Sequence, residues 1–209
     1  SIMTNQVINT SQTVIEDNSS FETFLEQYNA QPVEWHAGKV VKKVSNNPQH
    51  NFIVFFMAQL LSFFMADDKL GKVITDGVPM YISGDVPARQ PDIMVLLTPN
   101  LNKITSTHVE GTADIVVEVV SPGSSTVDRG AKFTEYETAG VREYWLIDPI
   151  RKQVDIYALD DGGYYQRISK DEQLISHVLP NFALQNDILW QDDLPAGSDL
   201  LALVANMRT

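Results

Sequence analysis

Residues 113–122 read Ala-Asp-Ile-Val-Val-Glu-Val-Val-Ser-Pro. From 115 to 120 every residue except Glu118 is apolar and β-branched, and Ser121-Pro122 stops the run. This pattern fits a strand buried on both faces, in a sheet covered by other layers. A carboxylate in the middle of such a strand is costly to bury unless a cation meets it. A metal ion and a nearby lysine are the two candidates.

The 209 residues suffice for one domain with a sizeable core, and the apolar (44%) and charged (20%) shares are those of ordinary globular chains. With no cysteine, disulfides and thiolate metal sites are excluded, and a cytoplasmic location is expected. The net charge of −12 argues against broad, nonspecific attraction to nucleic acid, though not against a local basic patch. No signal peptide is seen. The apolar run 52–66 is shorter than the roughly 20 residues a bilayer requires, so no membrane association is expected.

In chain order, 1–18 is polar and reads as a flexible arm, within which 12–15 could add an edge strand. A single domain is expected over 19–209. Ser19, with Glu22 three residues on, suggests a capped helix over 19–28. A hairpin is expected over 33–44, turning at Ala37-Gly38, and a central helix over 50–66. Strands follow over 72–75 and 80–83, around Gly77 and Pro79. Pro91-Asp92 opens a second strong strand over 93–97, and 98–112 reads as a polar loop. After the central strand, one helix is expected over 124–139, ended by Gly140. A third core strand covers 143–147, and a hairpin turns at 160–163 between 154–159 and 164–168. Residues 174–184 read as irregular with short strands, and 199–206 as a terminal helix.

Asp92 and Glu118 each sit in a strong apolar strand, separated only by a loop. Side by side, with backbones about 4.8 Å apart, their carboxylates could share one divalent cation, and Mg²⁺ suits an all-oxygen shell. Asp92 could equally be a strand-start residue after Pro91. Lys132, on the next helix, could reach back to the strand end and stabilise phosphoryl charge, or it could form an ordinary surface ion pair with Asp128. Asp114 lies four residues from Glu118, about 13 Å along a strand, too far to share an ion. His50 is a helix-start residue or an auxiliary ligand. Glu34 is a further carboxylate or part of a solvated hairpin. Asp148 is expected to cap a turn, with Tyr144 and Trp145 in the core. No GxxxxGK, HExxH or GxSxG motif occurs, and histidines scattered at 36, 50, 108 and 177 do not suggest zinc.

Pro91-Asp92 with its strand, the run from Asp114 to Pro122, Asp128-Arg-Gly-Ala-Lys132, and Tyr136-Glu-Thr-Ala-Gly-Val-Arg-Glu-Tyr-Trp-Leu-Ile-Asp-Pro149 together resemble the Uma2 family. This is the DUF820 group of restriction-endonuclease-like proteins in the PD-(D/E)XK nuclease superfamily, and the resemblance spans about 33–182. It implies an α/β (α+β) core, a central mixed β-sheet flanked by helices, and metal-dependent hydrolysis of DNA phosphodiester bonds. The catalytic residues carried over are Asp92, Glu118 and Lys132. Asp92, Glu118 and the Val119 carbonyl are the expected ligands of Mg²⁺, with Mn²⁺ as a substitute. The superfamily's usual lysine position falls on Val120 here, and Lys132 takes its place from the following helix. DNA is the implied substrate and a homodimer the implied assembly. The alternative is an inactive nuclease fold serving as a binding module for nucleic acid or protein.

Overall fold

A computed structural model describes residues 12–170 and 172–208. Part of the expected N-terminal arm, 1–11, lies outside the described residues. The remainder of that arm contains β1 (Val14–Glu16), which supplies the edge strand. It is followed by α1 (Phe21–Gln27) and the hairpin of β2 (Val33–His36) and β3 (Lys39–Lys42). The cap of α1 is Ser20, whose side chain accepts from the Thr23 N–H. Ser19, expected in that role, is buried instead, and its N–H donates to the Gly38 carbonyl. Ala37 and Gly38 both have positive φ, 49° and 98°, the conformation that a tight hairpin turn requires.

Next come α2 (Pro48–Ala66), β4 (Gly71–Thr75), β5 (Met80–Tyr81), β6 (Pro87–Ala88), β7 (Ile93–Leu97), β8 (Val109–Glu110) and β9 (Ile115–Val119). Asn47 caps α2 by accepting from the His50 N–H at 2.9 Å, and Pro48 takes the first turn, where no donor is needed. The segments expected as neighbouring strands around Gly77 belong to different sheets: β4 pairs with β7, and β5 pairs with β8. The expected loop over 98–112 is more ordered than its polarity suggested. Thr98–Lys103 is a 3₁₀ helix, and β8 sits inside the same stretch.

The remaining elements are α3 (Ser125–Arg129), α4 (Ala131–Ala139), β10 (Glu143–Asp148), β11 (Gln153–Leu159), β12 (Tyr165–Arg167), β13 (Gln173–Ile175), β14 (Ala183–Gln185) and α5 (Ser198–Met207). The main sheet runs β12-β11-β10-β9-β7-β4. β9 and β10 are parallel, joined by a crossover through α3 and α4, and the other neighbours are antiparallel. Alternation divides the central strand between two cores. Ile115, Val117 and Val119 pack with Ile53, Met57 and Leu60 of α2, whereas Val116 and Val120 pack with Tyr136 of α4, Tyr144 and Leu146. Each such buried side chain contributes about 1.5–3 kcal/mol. Parity puts Glu118 on the α4 side. The 19 residues of α2 are long and apolar enough to cross a membrane, but its inner face fills the larger core.

The single helix expected over 124–139 is two helices that meet at Gly130. Gly130 has φ −107° and ψ −89°, and a Cβ there would stand 2.8 Å from the Thr126 carbonyl oxygen. The break re-aims the chain just before Lys132. Gly130→Ala is therefore expected to cost about 1–3 kcal/mol, the usual range for forced overpacking, and to move Lys132. Urea unfolding checks this. A midpoint equal to that of the parent protein would show that the break is not dictated by the missing Cβ.

Candidate active site

β7 and β9 pair antiparallel with Ile93 opposite Val117, so one step further Asp92 stands opposite Glu118. Directly opposed residues share a face, with Cβ atoms about 4.5–5.5 Å apart. Both carboxylates line one cleft of about 70 Å³, together with Glu34, His50, Val119, Asp128 and Lys132. A water needs only about 10–15 Å³ of such space, so the cleft has room for several.

The pairing also explains Val119. Position 91, which would continue the β7 ladder opposite it, is proline and has no N–H. The Val119 N–H turns to Asp92 Oδ2 at 2.7 Å. In a strand the C=O of a residue points to the same edge as its N–H, so the Val119 carbonyl faces that edge without a ladder donor. His50 Nε2 lies 3.0 Å from the same Asp92 oxygen. Burial alone would raise the Asp92 carboxyl, but His50, Lys132 and the Val119 N–H outweigh it and hold the group below its ordinary value. Burial likewise pulls the His50 imidazole down, and contact with Asp92 outweighs this and raises it.

On the α4 side, Tyr136 Oη donates to Glu118 Oε1 at 2.8 Å and Lys132 Nζ lies 3.1 Å from Oε2. Lys132 also lies 2.8 Å from Asp128 Oδ1, which accepts no other hydrogen bond, while Ser124 donates to Oδ2 at 2.6 Å. Asp128 is 1% exposed, so the expected surface ion pair is a buried one. Burial pushes the Glu118 carboxyl up to about 8, Asp92 and Asp128 adding to the rise and Lys132 and Tyr136 opposing it. For Lys132, burial disfavours the ammonium, but Glu118, Asp128, Glu34 and Asp92 outweigh it and raise the amine.

Glu34 is also buried rather than solvated. Its Oε1 accepts from the Gln90 N–H at 3.0 Å, and its Oε2 meets His36 at 2.9 Å and Arg89 at 3.4 Å. Burial opposes its charge, yet His36, Arg89 and Lys132 hold it well below the usual carboxylate range. Arg89 in turn forks onto both oxygens of Glu135 on α4 at 2.8 Å. The hairpin and α4 are thus joined through buried charge beside the cleft. Asp114 sits at the other end of β9, where it accepts from the Leu97 N–H and from Asn100, as expected of a strand-entry residue. Asp148 holds the next turn by accepting from the Ile150 and Arg151 N–H groups.

All three sequence-derived residues therefore meet at one cleft. Tyr136, Ser124 and the buried role of Asp128 were missed. Tyr136 was within reach of the sequence, since it lies four residues after Lys132 and so on the same helix face. Nothing local marks Ser124 or the burial of Asp128. The available donors, carboxylate and carbonyl oxygens beside open space, fit a hard divalent cation. Among the described residues no three His, Asp or Glu side chains gather as a ready-made metal cage. That is compatible with Mg²⁺, which uses one or two carboxylates and takes its remaining oxygens from water and substrate.

The mixed sheet, its flanking helices and the opposed acidic strand ends define a restriction-endonuclease-like α/β domain. The chain belongs to the Uma2 family, whose model, described as "Putative restriction endonuclease", matches residues 21–187. It is similar in fold to a solved structure described as a putative nuclease belonging to DUF820 from Anabaena variabilis. The TM-score is 0.66 at 16% identity, covering 81% of this chain and 96% of that one. No curated protein matches.

Proposed function

We propose that the protein is a nuclease that hydrolyses DNA phosphodiester bonds with Mg²⁺, for which Mn²⁺ can substitute. Asp92, Glu118 and the Val119 carbonyl hold the ion. Bound there, it would neutralise charge on the scissile phosphate and make water more acidic. The observation that carries this reading is the convergence of Asp92, Glu118 and Lys132, from two strands and a helix, on one cleft.

The protein's own groups divide the remaining work. His50 and the Val119 N–H fix one oxygen of Asp92 and so its orientation. Asp128 and Glu118 hold the Lys132 ammonium at the cleft, where it can donate to a phosphate oxygen or to the attacking water. Val120, at the superfamily's usual lysine position, is fully packed in the core against α4, which leaves the amine to Lys132. The reading extends to a homodimer, one copy for each DNA strand.

Calorimetry with Mg²⁺ and Mn²⁺, paired with a plasmid-nicking assay, tests it. One ion should bind per chain, Asp92→Asn should abolish the uptake, and nicking should require the metal. A protein that binds duplex DNA, takes up neither ion and leaves plasmid intact is a binding module instead.

A further inference from the structure

The register across the sheet places a second charged group on the same face as the cleft. Glu118 pairs with Leu146, and Leu146 pairs with Asp155, so the three side chains share one row and one face. Two strand spacings separate Asp155 from Glu118, about 10 Å. Asp155 is buried, and it draws Arg129 Nη1 to 3.1 Å and Arg167 Nε to 2.7 Å. Arg129 also reaches Asp148 at 3.0 Å, and Arg151 approaches the same oxygen at 3.9 Å.

The exposures run in opposite directions. The Asp148 and Asp155 side chains are 2% and 3% exposed, whereas those of Arg129, Arg151 and Arg167 are 25%, 62% and 42% exposed. The aspartates act as buried buttresses that aim guanidinium groups outward. Asp148 also accepts two backbone N–H groups of the turn that carries Arg151 and exposed Lys152, which fixes that turn. Four cations over two buried carboxylates make a basic face on a chain of net charge −12. Lys152 and Arg167 also line a groove that they share with Glu172 and Asp187, and these two acidic residues bound the basic face on that side.

We propose that Arg129, Arg151, Lys152 and Arg167 form a track for the DNA phosphate backbone, running from the cleft across β10 and β11. This rests on the nuclease reading of the cleft. The phosphates of one DNA strand wind around the axis as well as rising about 3.4 Å along it at each step, so an offset of about 10 Å meets the backbone one or two phosphates from the scissile one. Planar guanidiniums held in place suit phosphate oxygens, which they can meet in pairs. The general negative charge outside the track discourages other registers.

The test uses a fluorescein-labelled 20-base-pair DNA duplex in EDTA, with binding followed by anisotropy across a salt series. Arg151→Ala/Lys152→Ala alters two exposed side chains and spares the buried aspartates. Its affinity should fall at least roughly tenfold. The slope of log K against log salt should shrink by about 1.8, since each phosphate contact contributes about 0.9. Lys69→Ala/Lys72→Ala makes the same charge change at the far end of the sheet and should bind as the parent does. Equal losses in the two double variants, an unchanged slope in the first, or no binding by the parent would overturn the track. So would binding of an RNA duplex without binding of the DNA. Failure of the nuclease reading is seen separately, as Mg²⁺-dependent nicking that survives Glu118→Gln, a result that leaves the anisotropy outcome intact.

Discussion

Lys132→Met is expected to lose both cleavage and stability. The Lys132 ammonium lies within 3.1 Å of two carboxylates, Glu118 and Asp128, which are 3% and 1% exposed. Methionine fills the space but leaves Asp128 Oδ1 with no partner. Removing one member of a buried ion pair usually costs about 3–5 kcal/mol, because the remaining charge stays desolvated. Losing a donor aimed at developing charge costs about 10²–10³-fold in rate. Urea unfolding and plasmid nicking measure the two effects. A variant as stable as the parent would mean that Lys132 does not neutralise this cluster. A variant as active would remove it from the chemistry.

Glu118→Gln is expected to separate those two effects. The amide is isosteric and can keep its oxygen toward Lys132 while offering its nitrogen to the Tyr136 hydroxyl oxygen. Cleavage should fall at least about 100-fold, since even a partner behind a metal ligand is worth about 10–100-fold. Stability should respond to pH in the opposite sense to that of an ordinary salt-bridged carboxylate. The folded protein raises the Glu118 carboxyl from its ordinary 4.5 to about 8, so the fold favours the protonated form. That contribution is fully present below 4.5 and is lost as pH rises toward 8. The parent should therefore lose stability relative to Glu118→Gln between pH 5 and pH 8. If the difference between the two proteins is flat over that window, Glu118 is not held as described. Adding Glu118→Gln to Lys132→Met should change stability little below about pH 8, because without the lysine Glu118 is already neutral there and Asp128 is the charge left stranded.

The strands, the long helix and the catalytic candidates were legible because their signals are local. A mid-strand glutamate among valines, a proline before an aspartate and a glycine after a helix each constrain neighbouring backbone directly. The kink at Gly130 was not legible, because periodicity continues through it and only contact with the Thr126 carbonyl shows why the helix divides there. The order in 98–112 was hidden for a related reason. β8 exists by pairing with β5, roughly thirty residues earlier in the chain, and a polar run carries no mark of its partner. Asp128 and Lys132 were legible as a pair, but not as a buried one, since burial depends on what lies above a helix face rather than on its spacing.

What the amino-acid order determined by itself is which segments become strands, that Glu118 must be buried, and that a cation must answer it. Alternation along β9 is enough for that, because side chains in a strand point to opposite faces in turn and both faces here are apolar. What only the tertiary structure decided is who answers. Antiparallel register set Asp92 opposite Glu118, the break at Gly130 aimed Lys132, and the buried hairpin brought Glu34 to the same cleft. Register and helix docking depend on contacts between distant segments, and the energy that selects them is spread over the whole core rather than written at any one position.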